Sequence, residues 1–167
     1  MLKEYGIVID NDDCVGCNLC EVACKKGNNI TSGHGFIRAC YASEISSERH
    51  GGCIIVHCAH CVNPLCIVAC PRQAIVKRKD GIVQIIEELC DSCAACIKAC
   101  PMDAIQCDAE TKVARKCNLC SNSLESGVSP VCVVACPYNC ILVGAVNDIC
   151  ETIRKKRFLN WYHASLF

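Results

Sequence analysis

The chain has 167 residues, with 17 basic and 17 acidic side chains and 21 cysteines, about one residue in eight. Balanced charge leaves no basic footprint for nucleic acid, and cysteine above roughly 8–10% means that cysteine chemistry outweighs apolar burial in specifying the fold. Aromatic residues make up only 5% of the chain, so metal centres or disulfides must supply the cross-links that a small core cannot.

The opening Met1-Leu2-Lys3-Glu4-Tyr5-Gly6 has no apolar signal core and no twin-arginine pair. No apolar run reaches the roughly 18–20 residues of a membrane span. The cysteine count is odd, which argues against a disulfide scaffold. These features predict a cytoplasmic protein with no membrane span and reduced thiols.

Four cysteine groups then organise the chain. The first is Cys14-x2-Cys17-x2-Cys20-x3-Cys24, followed by Lys25. From Gly27 to Gly52 the sequence is the least informative: Gly33-His34-Gly35 and Ser43 to Gly52 read as loops, around a strand near Phe36-Ile37-Arg38. The second group is Cys58-x2-Cys61-x4-Cys66-x3-Cys70, followed by Pro71. Next, Ala74-Ile75-Val76 and Ile82-Val83-Gln84-Ile85 flank Asp80-Gly81, which predicts a hairpin. The third group is Cys90-x2-Cys93-x2-Cys96-x3-Cys100, followed by Pro101. The fourth is Cys117-x2-Cys120, a loop, then Cys132-x3-Cys136 and Pro137. One phrase recurs after three of the groups: Pro71-Arg72-Gln73-Ala74-Ile75, Pro101-Met102-Asp103-Ala104-Ile105 and Pro137-Tyr138-Asn139-Cys140-Ile141. The repeating unit is loop, short helix, turn, short strand.

The spacing has a chemical reason. A tight C-x-x-C-x-x-C loop wraps three corners of an iron–sulfur cubane while its backbone N–H groups point at the sulfurs. The fourth cysteine lies in the following helix and points away, toward a different cluster, as in bacterial two-cluster ferredoxins. Zinc sites close with four ligands and rarely repeat this run. Four such groups account for sixteen cysteines and four [4Fe–4S] clusters. Four clusters of net charge about −2 would bring the neutral polypeptide to about −8.

The second group, Cys58-Ala59-His60-Cys61 through Cys70-Pro71, and the fourth, Lys116-Cys117-Asn118-Leu119-Cys120 through Pro130-Val131-Cys132 and Cys136-Pro137, resemble the four-cluster ferredoxin family over roughly residues 5–146. That family includes electron-transfer subunits of dimethyl-sulfoxide-reductase-type enzymes, formate dehydrogenases, carbon monoxide dehydrogenases, hydrogenases and tungsten aldehyde oxidoreductases. The resemblance implies an α+β fold of two pseudo-symmetric ferredoxin-like units: an inner one at 53–110, an outer one from 1–52 plus 111–146, and a tail at 147–167. It also implies a pairing. One inner cluster takes Cys58, Cys61, Cys66 and Cys100, and the other Cys90, Cys93, Cys96 and Cys70. One outer cluster takes Cys14, Cys17, Cys20 and Cys136, and the other Cys117, Cys120, Cys132 and Cys24.

Five cysteines remain. Cys140 replaces Ala74 and Ala104 of the other repeats and reads as a small buried residue, while Cys40, Cys53, Cys107 and Cys150 have no cluster spacing. His57 and His60 bracket Cys58, either packing beside the loop or donating to a cluster sulfur. His34 and His50 read as solvated. No dinucleotide fingerprint, phosphate loop or nucleophile–base pair occurs, so the chain moves electrons and does no chemistry alone.

From Asn147 the chain leaves the repeat. It predicts a helix capped by Asn147 or Asp148, with Ile149 and Ile153 on one buried face. After Arg154-Lys155-Lys156-Arg157, four of the chain's eight aromatic residues fall in the last ten positions. The tail docks on a catalytic subunit or a second copy, folds back on its own domain, or lies on a membrane surface. The implied partner is a tungsten or molybdenum pterin oxidoreductase, with carbon monoxide dehydrogenase or hydrogenase as alternatives. A ferredoxin or flavoprotein would serve as external donor or acceptor. A freely diffusing polyferredoxin and a cluster-assembly factor are the rival functions.

Overall fold

The structure, a computed structural model, describes residues 3–41 and 53–164. Its two ends meet. Strand β1 (Tyr5–Ile9) runs antiparallel to β8 (Ile141–Ala145), with Tyr5 opposite Ala145 and Ile9 opposite Ile141. Between them lie α1 (Leu19–Gly27), then β2 (Ile37–Tyr41) paired antiparallel with β3 (Cys53–His57). Helix α2 (Leu65–Val68) leads into the hairpin of β4 (Ile75–Lys77) and β5 (Val83–Ile85). Helix α3 (Ala95–Ala99) leads into a second hairpin, β6 (Ile105–Cys107) with β7 (Ala114–Lys116). Helices α4 (Ser121–Glu125) and α5 (Val131–Val134) precede β8, and α6 (Val146–Ala164) follows it. The fold is α+β, built from ferredoxin-like hairpin units.

The helices are short for a sequence-encoded reason. Pro71, Pro101 and Pro137 lack an N–H and push the residue before them out of the helical region. Cys100 is accordingly extended, with φ −81° and ψ 112°. The prolines then open the same turn three times. Gln73, Asp103 and Asn139, each two residues on, all sit in the left-handed region, at φ 51°, 47° and 50°. The hairpin anticipated at Asp80-Gly81 is present: Gly81 takes φ 85°, and its N–H donates to the Arg78 carbonyl at 3.0 Å. The strand anticipated near Phe36 is β2. His34 is exposed in the segment before β2, as expected. His50 and the segment from Ser43 to Gly52 lie outside the described residues.

Buried side chains form two cores. One joins Ile7, Phe36, Ile37, Ile55, Ile82, Leu119 and Ile141 to Cys20, Cys24, Cys132, Cys136 and Cys140. The other joins Ile75, Val83, Ile105 and Ala114 to Cys96, with Cys66, Cys70, Cys90 and Cys100 packed on its rim. Sulfur thus occupies the positions that branched aliphatics fill in an ordinary domain. The β6–β7 hairpin spans 105–116, so it crosses position 110, and its Ala114 packs in the second core.

Helix α6 differs in detail from its sequence pattern. It begins at Val146, not behind a cap at Asn147 or Asp148, because β8 runs straight into it. The Val146 N–H is satisfied by the Glu4 carbonyl at 2.8 Å, which replaces a side-chain cap. Ile149 is buried and Ile153 half-buried, and the helix packs on β1 and β8. Lys156 donates to Asp10 at 2.7 Å and also bonds Asp13, tying the fourth turn to the loop before Cys14. Phe158 and Leu159 are exposed.

Candidate metal centres

The loops that carry the cysteines are bent into unusual backbone. Gly16 and Asn18 in the first group, His60 in the second, Ser92 and Ala94 in the third, and Leu119 and Cys120 in the fourth all have positive φ. Left-handed residues set between right-handed ones turn successive N–H groups to one side, a concavity suited to anions and iron–sulfur centres. Several donors reach thiol sulfurs: Ala74 N–H to Cys70 at 3.3 Å, Ala104 N–H to Cys100 at 3.5 Å and Leu119 N–H to Cys117 at 3.4 Å. The first two are the same bond in two repeats, made by the turn that follows each proline.

The sulfurs fall into sets that cross the order of the sequence. A cavity of about 200 Å³ is lined by Cys58, Cys61, Cys66 and Cys100. A smaller cavity is lined by Cys14, Cys17, Cys20 and Cys136, together with Cys140. Cys96 has Cys90 and Cys70 as its thiol neighbours, and Cys93 is exposed on the same loop. Cys24 is near Cys120, Cys132 is near Cys24 and Cys120 and also Cys20, and Cys117 has both Cys58 and Cys132 as thiol neighbours, so this set adjoins two others. In each set the last cysteine of one group, Cys100, Cys136, Cys70 or Cys24, stands with a loop from a distant part of the chain.

Burial makes these thiols poor anions by themselves. It pushes Cys20 and Cys96 up to about 11 and Cys132 up to about 12, and raises Cys24 and Cys66 as well. A buried sulfur becomes a thiolate when a metal takes the place of its proton. Among the described residues no three His, Cys, Asp or Glu side chains converge tightly enough for a single metal ion. A cubane holds its ligands at four separate iron corners, so its thiols stand further apart than those of a zinc site.

One buried cation reaches the Cys58 set, and a buried ring sits on the same loop. His60 accepts the Val83 N–H on Nδ1 at 3.0 Å, which leaves the proton of the neutral ring on Nε2. Burial, then the Lys116 charge, pushes its pKa down to about 3, so the ring is neutral. Nε2 is buried and finds no hydrogen-bond partner among the described residues. Lys116 is only 5% exposed, and its ammonium lies 3.4 Å from the Cys58 sulfur. A buried cation is costly unless an anion faces it. Thiolates and sulfide supply one.

The remaining cysteines divide by location. Cys140 is buried, its sulfur 3.3 Å from that of Cys136, and burial followed by this contact pushes its thiol up to about 12. Cys53 is half-buried beside Cys14, Cys40 lies on β2, and Cys107 and Cys150 are exposed. The His57 Nδ1 sits 3.0 Å from the Cys58 carbonyl. The sequence pattern did not point to Lys116 as a buried group or to the Asp10–Lys156 tie. The one signal was a lysine immediately before the Cys117-x2-Cys120 pair.

Cysteine-lined sites on ferredoxin-like hairpins define an iron–sulfur electron-transfer protein. Residues 53–146 match the family described as 4Fe-4S dicluster domain. The B subunit of the anaerobic dimethyl sulfoxide reductase of Haemophilus influenzae is 33% identical over 158 residues, covering 89% of this protein and 77% of that one. The thiosulfate reductase electron transfer subunit PhsB of Salmonella typhi is 34% identical over 152 residues, covering 89% and 79%. The B subunit of the polysulfide reductase of Wolinella succinogenes is 33% identical over 165 residues, covering 93% and 83%. The chain belongs to this family of [4Fe–4S] electron-transfer subunits of reductase complexes, and is not itself the catalytic subunit. No described helix is long and apolar enough to cross a membrane.

Proposed function

We propose that the chain conducts electrons through four [4Fe–4S] clusters to or from the catalytic subunit of a molybdenum or tungsten pterin oxidoreductase. When bound, each cluster supplies one-electron transfer. The ligands are the sets that the family resemblance implies: Cys58, Cys61, Cys66 and Cys100; Cys90, Cys93, Cys96 and Cys70; Cys14, Cys17, Cys20 and Cys136; Cys117, Cys120, Cys132 and Cys24. The observation that carries this reading is the cavity walled by Cys58, Cys61 and Cys66 from one loop and Cys100 from another. The inner unit comprises 53–110 and the outer unit 1–52 with 111–146, and the 105–116 hairpin serves as their joint.

The names of the relatives support a reductase partner that acts on a sulfoxide or an oxidised sulfur species. A fixed wire of four centres suits a stable complex, with a ferredoxin or flavoprotein at its far end. The tail at 147–167 supplies the dock through its end, beyond Lys156, where the exposed Phe158 and Leu159 follow the basic run. Thiols outside the ligand sets, among them the exposed Cys107 and Cys150, favour the reducing cytoplasm. The test is truncation after Arg157 in a host that makes the whole complex. Iron content stays at the wild-type level, and co-purification with a pterin-containing subunit is lost. Undiminished co-purification places the dock elsewhere, and no pterin subunit with the intact chain refutes the partner.

A further inference from the structure

The geometry points to Lys116 as a buried electrostatic link between the inner and outer units, one that raises the reduction potential of the cluster at Cys58, Cys61, Cys66 and Cys100. The inference rests on the cluster assignment just proposed and adds to it a tuning residue and a route.

Lys116 is the last residue of β7, and Cys117 follows it directly, so its backbone belongs to the outer set of Cys117, Cys120 and Cys132. Its side chain turns the other way. The ammonium bonds the Val83 carbonyl of the inner hairpin, the Cys117 carbonyl at 2.8 Å and the Cys58 sulfur at 3.4 Å. It also lines the 200 Å³ cavity. Two carbonyls are neutral partners, and among the described residues no carboxylate pairs with this lysine. The anion that balances it has to be the thiolate set it touches, because an unpaired buried ammonium is strongly disfavoured.

Reduction adds one negative charge to that set. A fixed cation held out of water stabilises the more negative state more than the less negative one, and low local polarisability makes the effect large. The shift falls off with distance, so the Cys58 set feels it most. The sets at Cys14 and Cys90, which Lys116 does not touch, feel it least. The same side chain gives a short bonded path between two sites: from the Cys58 sulfur across one hydrogen bond to Nζ, then across a second to the Cys117 carbonyl.

The test uses the full-length, cluster-loaded chain with Lys116→Met, which keeps length and removes charge, and Lys116→Gln, which keeps donors and removes charge. Lys155→Met, on the exposed face of α6, is the control. Iron and sulfide are counted first, and EPR-monitored redox titration then gives the midpoints. Both Lys116 variants should retain wild-type iron, and one of the four midpoints should fall furthest, so that its reduced-to-oxidised ratio drops about tenfold at fixed ambient potential, or ~59 mV for one electron, with a smaller fall at the Cys117 set. The control should leave all four unchanged. Equal shifts at all four clusters, no shift, or loss of iron in both Lys116 variants overturns the tuning role. A wild-type chain that binds no clusters refutes the underlying assignment instead.

Discussion

Replacing Cys24 by Ala should empty the site at the other end of the chain rather than the one beside it in sequence. Cys24 lies on α1, four residues after Cys20, so proximity in sequence alone would place the two on one site. In the structure its neighbours are Cys120 and Cys132. The magnitude follows from the sharing of sites. Four cubanes hold about sixteen iron atoms, and losing one ligand costs between about one, if a three-iron core survives, and about four. Pairing the substitution with others separates the two groupings, because changes acting on one site do not add. Cys24→Ala with Cys120→Ala should lose no more than about four iron. Cys24→Ala with Cys20→Ala strikes two sites and should lose up to twice as much. Iron and sulfide assays on anaerobically purified protein, with EPR to identify the missing signal, read the result. The reverse pattern, additive with Cys120 and non-additive with Cys20, would refute the cross-chain pairing.

The tail offers two further predictions, both read by the anisotropy of the single tryptophan, Trp161. Ile149→Ala removes a side chain that is 5% exposed against β1 and β8, a change that costs about 2–5 kcal/mol. Anisotropy should fall while iron content holds; unchanged anisotropy means that Ile149 does not anchor the helix. The second concerns pH. The hydrogen bond from Lys156 holds the Asp10 carboxyl below its usual 3.8, so the folded-state value is depressed. Its stabilising contribution is present above the unfolded value and lost as pH falls through the folded one. In rapid pH jumps the anisotropy should be flat from pH 8 to 5 and drop only below about 4. A transition near pH 6 would assign the anchor to another group.

Much of the candidate site was legible because ligand chemistry is local in sequence. The proline turns and the Asp80-Gly81 hairpin are written in contiguous residues, and the structure has both. Cys140 was also legible, as the buried third copy of Ala74 and Ala104. Long-range partners were not. Nothing in Lys116-Cys117 says that the ammonium reaches Cys58, since this depends on how two hairpins pack. Nor did the basic run Arg154 to Arg157 reveal that Lys156 turns inward to Asp10 and Asp13 while Lys155 pairs with Glu151 on the exposed face. The start of α6 was misplaced by two or three residues because backbone from Glu4, far away in sequence, supplies the bond a side-chain cap would have made.

The central claim is that sixteen cysteines hold four cubanes, and metal stoichiometry tests it most directly. Protein produced and purified without oxygen, then analysed for iron, acid-labile sulfide and zinc, should contain about sixteen iron and about sixteen sulfide per polypeptide and only trace zinc. An iron content near eight in fully loaded protein, or zinc in stoichiometric amount, would contradict it.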